Sequence, residues 1–186
     1  MRKIKLTTFL LLTFFILNNI TVLAHTADSN EVVIRNISSS TTDLYHEKDS
    51  VVEVFNYSNK TIYLTESDIY LMSQIVYAES KGEPYEGKVA VASVILNRLI
   101  DPTFPDTIEG VVKQANAFSC VCNGSINVVP DEISRKAVID AIKGSDPTAR
   151  AVFFYNPEIS TCTWMKNVEK KNVKTIGHHV FFQIKR

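Results

Sequence analysis

The sequence predicts an α+β fold, mostly helical with a small antiparallel β-sheet. Two observations carry this prediction. Between residues 65 and 143, apolar side chains recur at three- and four-residue spacing in segments separated by Pro, Gly and capping residues. Beyond residue 150 the pattern changes to short runs rich in Val, Phe and Tyr, which suit strands.

Thr65-Glu66-Ser67-Asp68 has the form of a capping box and starts the first helix. Ile69, Met72, Ile75, Val76 and Glu79 then share one stripe, which places Glu79 on the apolar face. Pro84 suits the first turn of a second helix running through Gly87 to Arg98. That segment is apolar almost all round, so it is predicted to be the spine of the core. Asp101-Pro102 and Phe104-Pro105 end it, Thr107 to Gln114 forms a short third helix, and Ala117 to Pro130 is a loop. Asp131 to Lys143 is a fourth helix. After the Gly144-Ser145-Asp146-Pro147 turn, Ala151 to Tyr155 and Val173 to Phe182 are β-prone, separated by a loop carrying Trp164.

The first residues are basic, Met1-Arg2-Lys3-Ile4-Lys5, and an apolar stretch from Leu6 to Leu23 follows. Residues 1–24 therefore read as a signal peptide cut after Ala24, which makes the chain an exported one. A retained anchor is the competing reading, but Asn18, Asn19 and Thr21 interrupt the apolar run. Residues 25–64 read as a linker or N-terminal extension, with Val51 to Phe55 and Ile62 to Leu64 able to form a strand against the domain. Residues 65–186 are a single domain with its own core.

Twenty basic residues balance twenty acidic ones, and no dense basic cluster marks a phosphate-binding face, so nucleic acid is not expected as a partner. Three cysteines, Cys120, Cys122 and Cys162, cannot all pair with one another, although a bridge from one of the first two to Cys162 stays open. No ligand spacing of the His-x-x-Glu-His kind occurs, and no metal or other cofactor is expected.

A carboxyl projecting among Met72, Ile75 and Val76 would lose water, and desolvation disfavours the charged form. On this reading the pKa of Glu79 rises toward neutrality and the residue becomes a proton donor, as glycosidic cleavage requires. The plainer reading has Glu79 half-exposed at the helix end, paired with Lys81 or Lys88.

The run from Ile75 to Arg98 (IVYAESKGEPYEGKVAVASVILNR) closely resembles the SleB and CwlJ type of cell wall hydrolase, the spore cortex-lytic family. The resemblance continues through Phe104-Pro105-Asp106-Thr107-Ile108, Ala117-Phe118-Ser119, Tyr155-Asn156-Pro157, Trp164 and Ile176-Gly177-His178, and spans residues 67 to 182. It implies a catalytic domain similar in fold to lytic transglycosylases and goose-type lysozyme, with Glu79 as the catalytic acid. It also implies cleavage of the β-1,4 bond between N-acetylmuramic acid and N-acetylglucosamine. If the muramic acid 6-hydroxyl attacks its own anomeric carbon, an anhydro product forms and no second carboxylate is needed, unlike the usual pair.

Candidate substrate-binding residues are Glu83, Phe118, Ser119, Tyr155, Asn156, Trp164 and His178. Three of them have a structural alternative. Glu83 can orient the junction of the first two helices, while Phe118 and Trp164 can close the core. Arg98 is expected to be structural, bound to a carboxylate or to loop carbonyls. His178 and His179, adjacent on a predicted strand, should face opposite sides.

The chain departs from the family pattern in its cysteines, where small serine-like residues are expected. It also lacks the N-terminal peptidoglycan-binding repeat over residues 25–64, so cortex targeting does not follow. The expected partner is the peptidoglycan glycan strand, with a spore-coat or germination protein as a further candidate. The protein is expected to act as a secreted monomer in the cell wall or spore cortex. Two other readings remain open. One is a wall-binding or assembly module without catalysis; the other is an amidase or peptidase using Cys120 or Cys122 with His178.

Overall fold

The computed structural model describes residues 51–57 and 60–185. The signal peptide expected at 1–24 lies outside the described residues. Strands β1 (Val51–Tyr57) and β2 (Lys60–Thr65) pair as an antiparallel hairpin. Phe55 and Leu64 from this hairpin are buried in the main core, so the chain packs as part of the domain upstream of residue 65. Thr65 ends β2 and caps α1 (Glu66–Glu79): its hydroxyl accepts from Asp68 N, and Asp68 accepts in return from Thr65 N.

Helix α1 stops at Ser80, and Gly82 at φ +88° turns the chain toward Pro84. Pro84 has no N–H to leave unsatisfied and caps α2 (Tyr85–Ile100). Gly87 and every residue from Val89 to Leu99 are buried, so α2 is the central element the apolar pattern predicts. Two short-range caps then repeat the same device. Thr107 accepts from Gly110 N ahead of α3 (Ile108–Lys113), and Asp131 accepts from Ser134 N ahead of α4 (Glu132–Ile142).

Ile75 and Val76 of α1, Val91, Val94 and Ile95 of α2 and Val138 of α4 are fully buried in one cluster with Phe181. Each such side chain contributes roughly 1.5–3 kcal/mol by leaving water. Two polar side chains near the end of α2 anchor the sheet to this core. Asn97 Nδ2 donates to Ala151 O, and Arg98 Nε donates to Val152 O at 2.8 Å.

The sheet contains β3 (Phe153–Tyr155), β4 (Lys170–Ile176) and β5 (His179–Ile184), antiparallel in the order β3-β5-β4. Two local expectations are corrected here. Val173 to Phe182 is not one strand, because Gly177 at φ +57° and His178 turn the chain between β4 and β5. Trp164 lies on a five-residue helix, α5 (Thr163–Asn167), rather than in a loop.

Candidate active site

Glu79 is the last residue of α1 and is half-buried. Its Oε1 accepts two hydrogen bonds from the loop after α3: one from Ser119 Oγ at 2.9 Å and one from Cys120 N at 3.1 Å. No nitrogen or oxygen donor among the described residues bonds its Oε2. The Cys120 thiol also hydrogen-bonds the carboxylate, so the loop holds Glu79 through the Ser119 hydroxyl and through both the backbone and the side chain of Cys120.

The environment differs from the apolar pocket predicted. Met72, Ile75 and Val76 are wholly buried in the core beneath, whereas Glu79, a turn further on at the helix end, faces the loop's donors. Nor is it paired with Lys88, whose ammonium donates to Ser80 O at 2.8 Å.

Phe118 positions that loop. It is only 4% exposed, with its ring centroid 4.9 Å from the Arg98 guanidinium carbon and 6.3 Å from the Phe154 ring. The expectation that it binds substrate is corrected: a ring covered on these sides packs the core and cannot stack on a sugar. Arg98 is itself buried, and its guanidinium also lies 5.4 Å from the Phe104 ring and 5.8 Å from that of Phe153. Burial lowers its pKa to about 10, with the negative Glu79 acting the other way, so it stays cationic at neutral pH and its field reaches the Glu79 carboxylate.

Glu83 stands four residues after Glu79, and its side chain is 7% exposed. Its Oε2 accepts from His178 N at 2.9 Å, and its Oε1 lies 3.1 Å from His178 Nδ1. The carboxylate thus clasps the β4–β5 turn. Burial alone would raise its pKa, but the backbone N–H and ring of His178 and the nearby His179 outweigh that, and the net shift is downward. His178 is exposed and His179 buried; the turn at Gly177, rather than strand alternation, separates their environments.

The remaining predicted residues sit on or beside β3. Tyr155 packs edge-on against Phe182, with Lys170 Nζ 5.6 Å from its ring centroid. Asn156 Oδ1 accepts from Glu158 N and shapes the turn after the strand. Trp164 is 48% exposed and meets Phe153 edge-on at 5.4 Å.

Sequence reasoning did not single out the Cys120 backbone N–H, since any residue supplies one, nor the buried His179. Burial lowers the His179 pKa, against the charges of Glu83 and Glu79, and its Nδ1 has no hydrogen-bond partner. Cys120, Cys122 and Cys162 are all free thiols. Burial, and then the charge of Glu79, push the Cys120 thiol up to about 12. That is the reverse of what a thiolate nucleophile needs.

Two cavities, of about 240 and about 180 Å³, are lined around Asn97 and Arg150, and neither includes Glu79. Among the described residues no group of His, Cys, Asp or Glu is arranged to hold a metal ion, and no helix is long and apolar enough to cross a membrane.

The spore cortex-lytic enzyme of Halalkalibacterium halodurans is 48% identical over 117 residues, 63% of this chain and 35% of that protein. That of Bacillus subtilis is 46% identical over 115 residues, 62% of this chain and 37% of its own length. The chain thus spans well under half the length of these relatives. It covers nearly all of two solved domains. The catalytic domain of the Bacillus cereus SleB protein has a TM-score of 0.59 at 44% identity, covering 68% of this chain and 94% of that one. The catalytic domain of the germination-specific lytic transglycosylase SleB from Bacillus anthracis has a TM-score of 0.60 at 44% identity, covering 64% and 97%. Residues 82–182 match the family described as Cell Wall Hydrolase, and the chain belongs to that family.

Proposed function

We propose that this protein cleaves the β-1,4 bond between N-acetylmuramic acid and N-acetylglucosamine in peptidoglycan, as a lytic transglycosylase with Glu79 as general acid and then base. The observation that carries the reading is the asymmetric grip on Glu79. Oε1 accepts from Ser119 Oγ and Cys120 N, no nitrogen or oxygen donor among the described residues bonds Oε2, and in this reading Oε2 exchanges the proton. In the first step Oε2 gives its proton to the glycosidic oxygen as the bond from that oxygen to the muramic acid C1 breaks. The resulting carboxylate takes the proton of the 6-hydroxyl while that oxygen bonds to C1, so the glycan is cleaved and no water is consumed.

Glu83 does not suit the role of a second catalytic carboxylate. Both its oxygens are engaged by His178 and its side chain is 7% exposed. A nucleophile supplied by the substrate meets that constraint. The names of the relatives and of the Bacillus anthracis neighbour support cortex peptidoglycan and the transglycosylase outcome.

Ser119, Tyr155, Asn156 and Trp164 border the glycan in this reading, and the exported chain acts as a monomer in the wall or spore cortex. Incubating the purified protein with peptidoglycan and weighing the released muropeptides by mass spectrometry tests the proposal. Anhydro ends, one water lighter than hydrolysed ends, are expected. Glu79→Gln should lose activity by roughly 10²–10⁴-fold. Equal activity in the variant would remove Glu79 from its role, and products carrying free reducing ends would convert the assignment to a hydrolase.

A further inference from the structure

The Glu83–His178 contact has a chemical direction. An ionised carboxylate offers only acceptors, and Glu83 is held in that state, with its pKa below the ordinary carboxylate value. The ring nitrogen 3.1 Å from its Oε1 must therefore carry the proton: Nδ1 is the donor. In a neutral imidazole the proton on one nitrogen leaves a lone pair on the other. Nε2 is then bare, on a side chain that is 61% exposed.

The β4–β5 turn that carries His178 lies on the acid's side of the molecule. His179, the next residue, feels the charges of both Glu79 and Glu83. Its ring lies 5.3 Å from Phe154, which in turn lies 6.3 Å from Phe118, the neighbour of Ser119. The same turn cannot relax away from Glu83. The backbone N–H of His178 is bonded to the carboxylate's other oxygen, so the ring and the main chain are fixed together.

We infer that Glu83 is a positioning residue that locks His178 as the Nδ1–H tautomer, so that Nε2 serves as a hydrogen-bond acceptor for a hydroxyl or amide donor of the glycan bound at Glu79. This rests on the peptidoglycan reading above for the ligand, but the tautomer itself does not.

Glu83→Gln is the discriminating substitution. Its amide oxygen can still accept from His178 N, but its NH2 group then faces Nδ1 and requires a lone pair there, which moves the ring proton to Nε2. Long-range ¹H–¹⁵N spectra of the full chain should show a bare Nε2 on His178 in the wild type and a protonated Nε2 in Glu83→Gln. In turnover of soluble glycan strands released from peptidoglycan, His178→Ala and Glu83→Gln should each raise KM about tenfold, the scale of one lost hydrogen bond. The double variant should be no worse than either single one, and His178→Gln, whose amide oxygen reaches the position of Nε2, should recover part of the loss. A merely structural role would lower the melting temperature and leave KM alone. A protonated Nε2 in the wild type, or an unchanged KM in His178→Ala, overturns the inference. If instead Glu79→Gln cleaves as well as the wild type, the proposed catalytic role falls while the tautomer result stands.

Discussion

A Cβ placed on Gly177 would lie 1.9 Å from Glu83 Oε2, so the glycine and the carboxylate occupy mutually exclusive space. The turn can close on Glu83 only because position 177 has no side chain, and its φ of +57° is one that glycine adopts without strain. Gly177→Ala is expected to cost roughly 2–4 kcal/mol of stability, combining overlap with backbone strain. Adding Glu83→Ala should recover part of that loss by removing the overlapping atoms. Urea denaturation of the two single variants and the double variant measures the recovery, and strictly additive losses would contradict the stated cause.

Arg98 combines a hydrogen bond to Val152 O with cation–π contact to Phe118, and both need its flat guanidinium. Arg98→Lys should therefore destabilise more than Arg98→Met. The lysine buries an ammonium that lacks the flat face and the Nε donor, at a cost of about 2–4 kcal/mol, while methionine fills the volume without a charge. Because Phe118 holds the loop that donates to Glu79, activity should fall in both variants below their melting temperatures. Thermal melts read against turnover separate the two effects.

His179 makes stability depend on pH. Its pKa is lowered by burial, so the folded protein resists protonating it while the unfolded chain takes a proton near pH 6.5. The unfolded state then binds more protons, and stability falls as pH drops below 6.5 toward the folded value. Glu83, whose pKa is lowered from 4.5, adds a further loss at more acidic pH. His179→Phe should abolish the part of the slope just below pH 6.5, and it also removes an Nδ1 that has no partner. Denaturation midpoints from pH 7.5 to 5 test this, and parallel curves for variant and wild type would count against it.

The thiols should differ in reactivity. Cys122 and Cys162 are exposed, whereas the Cys120 thiol is half-buried and pushed up to about 12. Iodoacetamide at mildly alkaline pH should label the first two and spare Cys120, with peptidoglycan cleavage retained. Loss of activity that tracks the labelling of Cys122 would revive a thiol-based mechanism.

By itself the sequence determined the parts that depend on near neighbours along the chain. Helix starts at Thr65, Thr107 and Asp131 were legible because a cap bonds an N–H only three residues away. The burial of α2 followed from an apolar composition that leaves no solvated face. Glu79 was legible as a residue near the end of the first helix, and its candidacy as the acid came from the family resemblance. Only the tertiary structure decided what surrounds it. Ser119 reaches Glu79 across 40 residues and His178 reaches Glu83 across 95, distances over which no periodicity in the chain carries information. Phe118 was ambiguous for the same reason, since an aromatic ring in a loop can face either water or a buried arginine, and packing alone selects between them. The polar grip on Glu79, the clasp of Glu83 on the β4–β5 turn and the burial of His179 are properties of the assembled fold, because each needs groups that meet only when the loop and the sheet close on the end of α1.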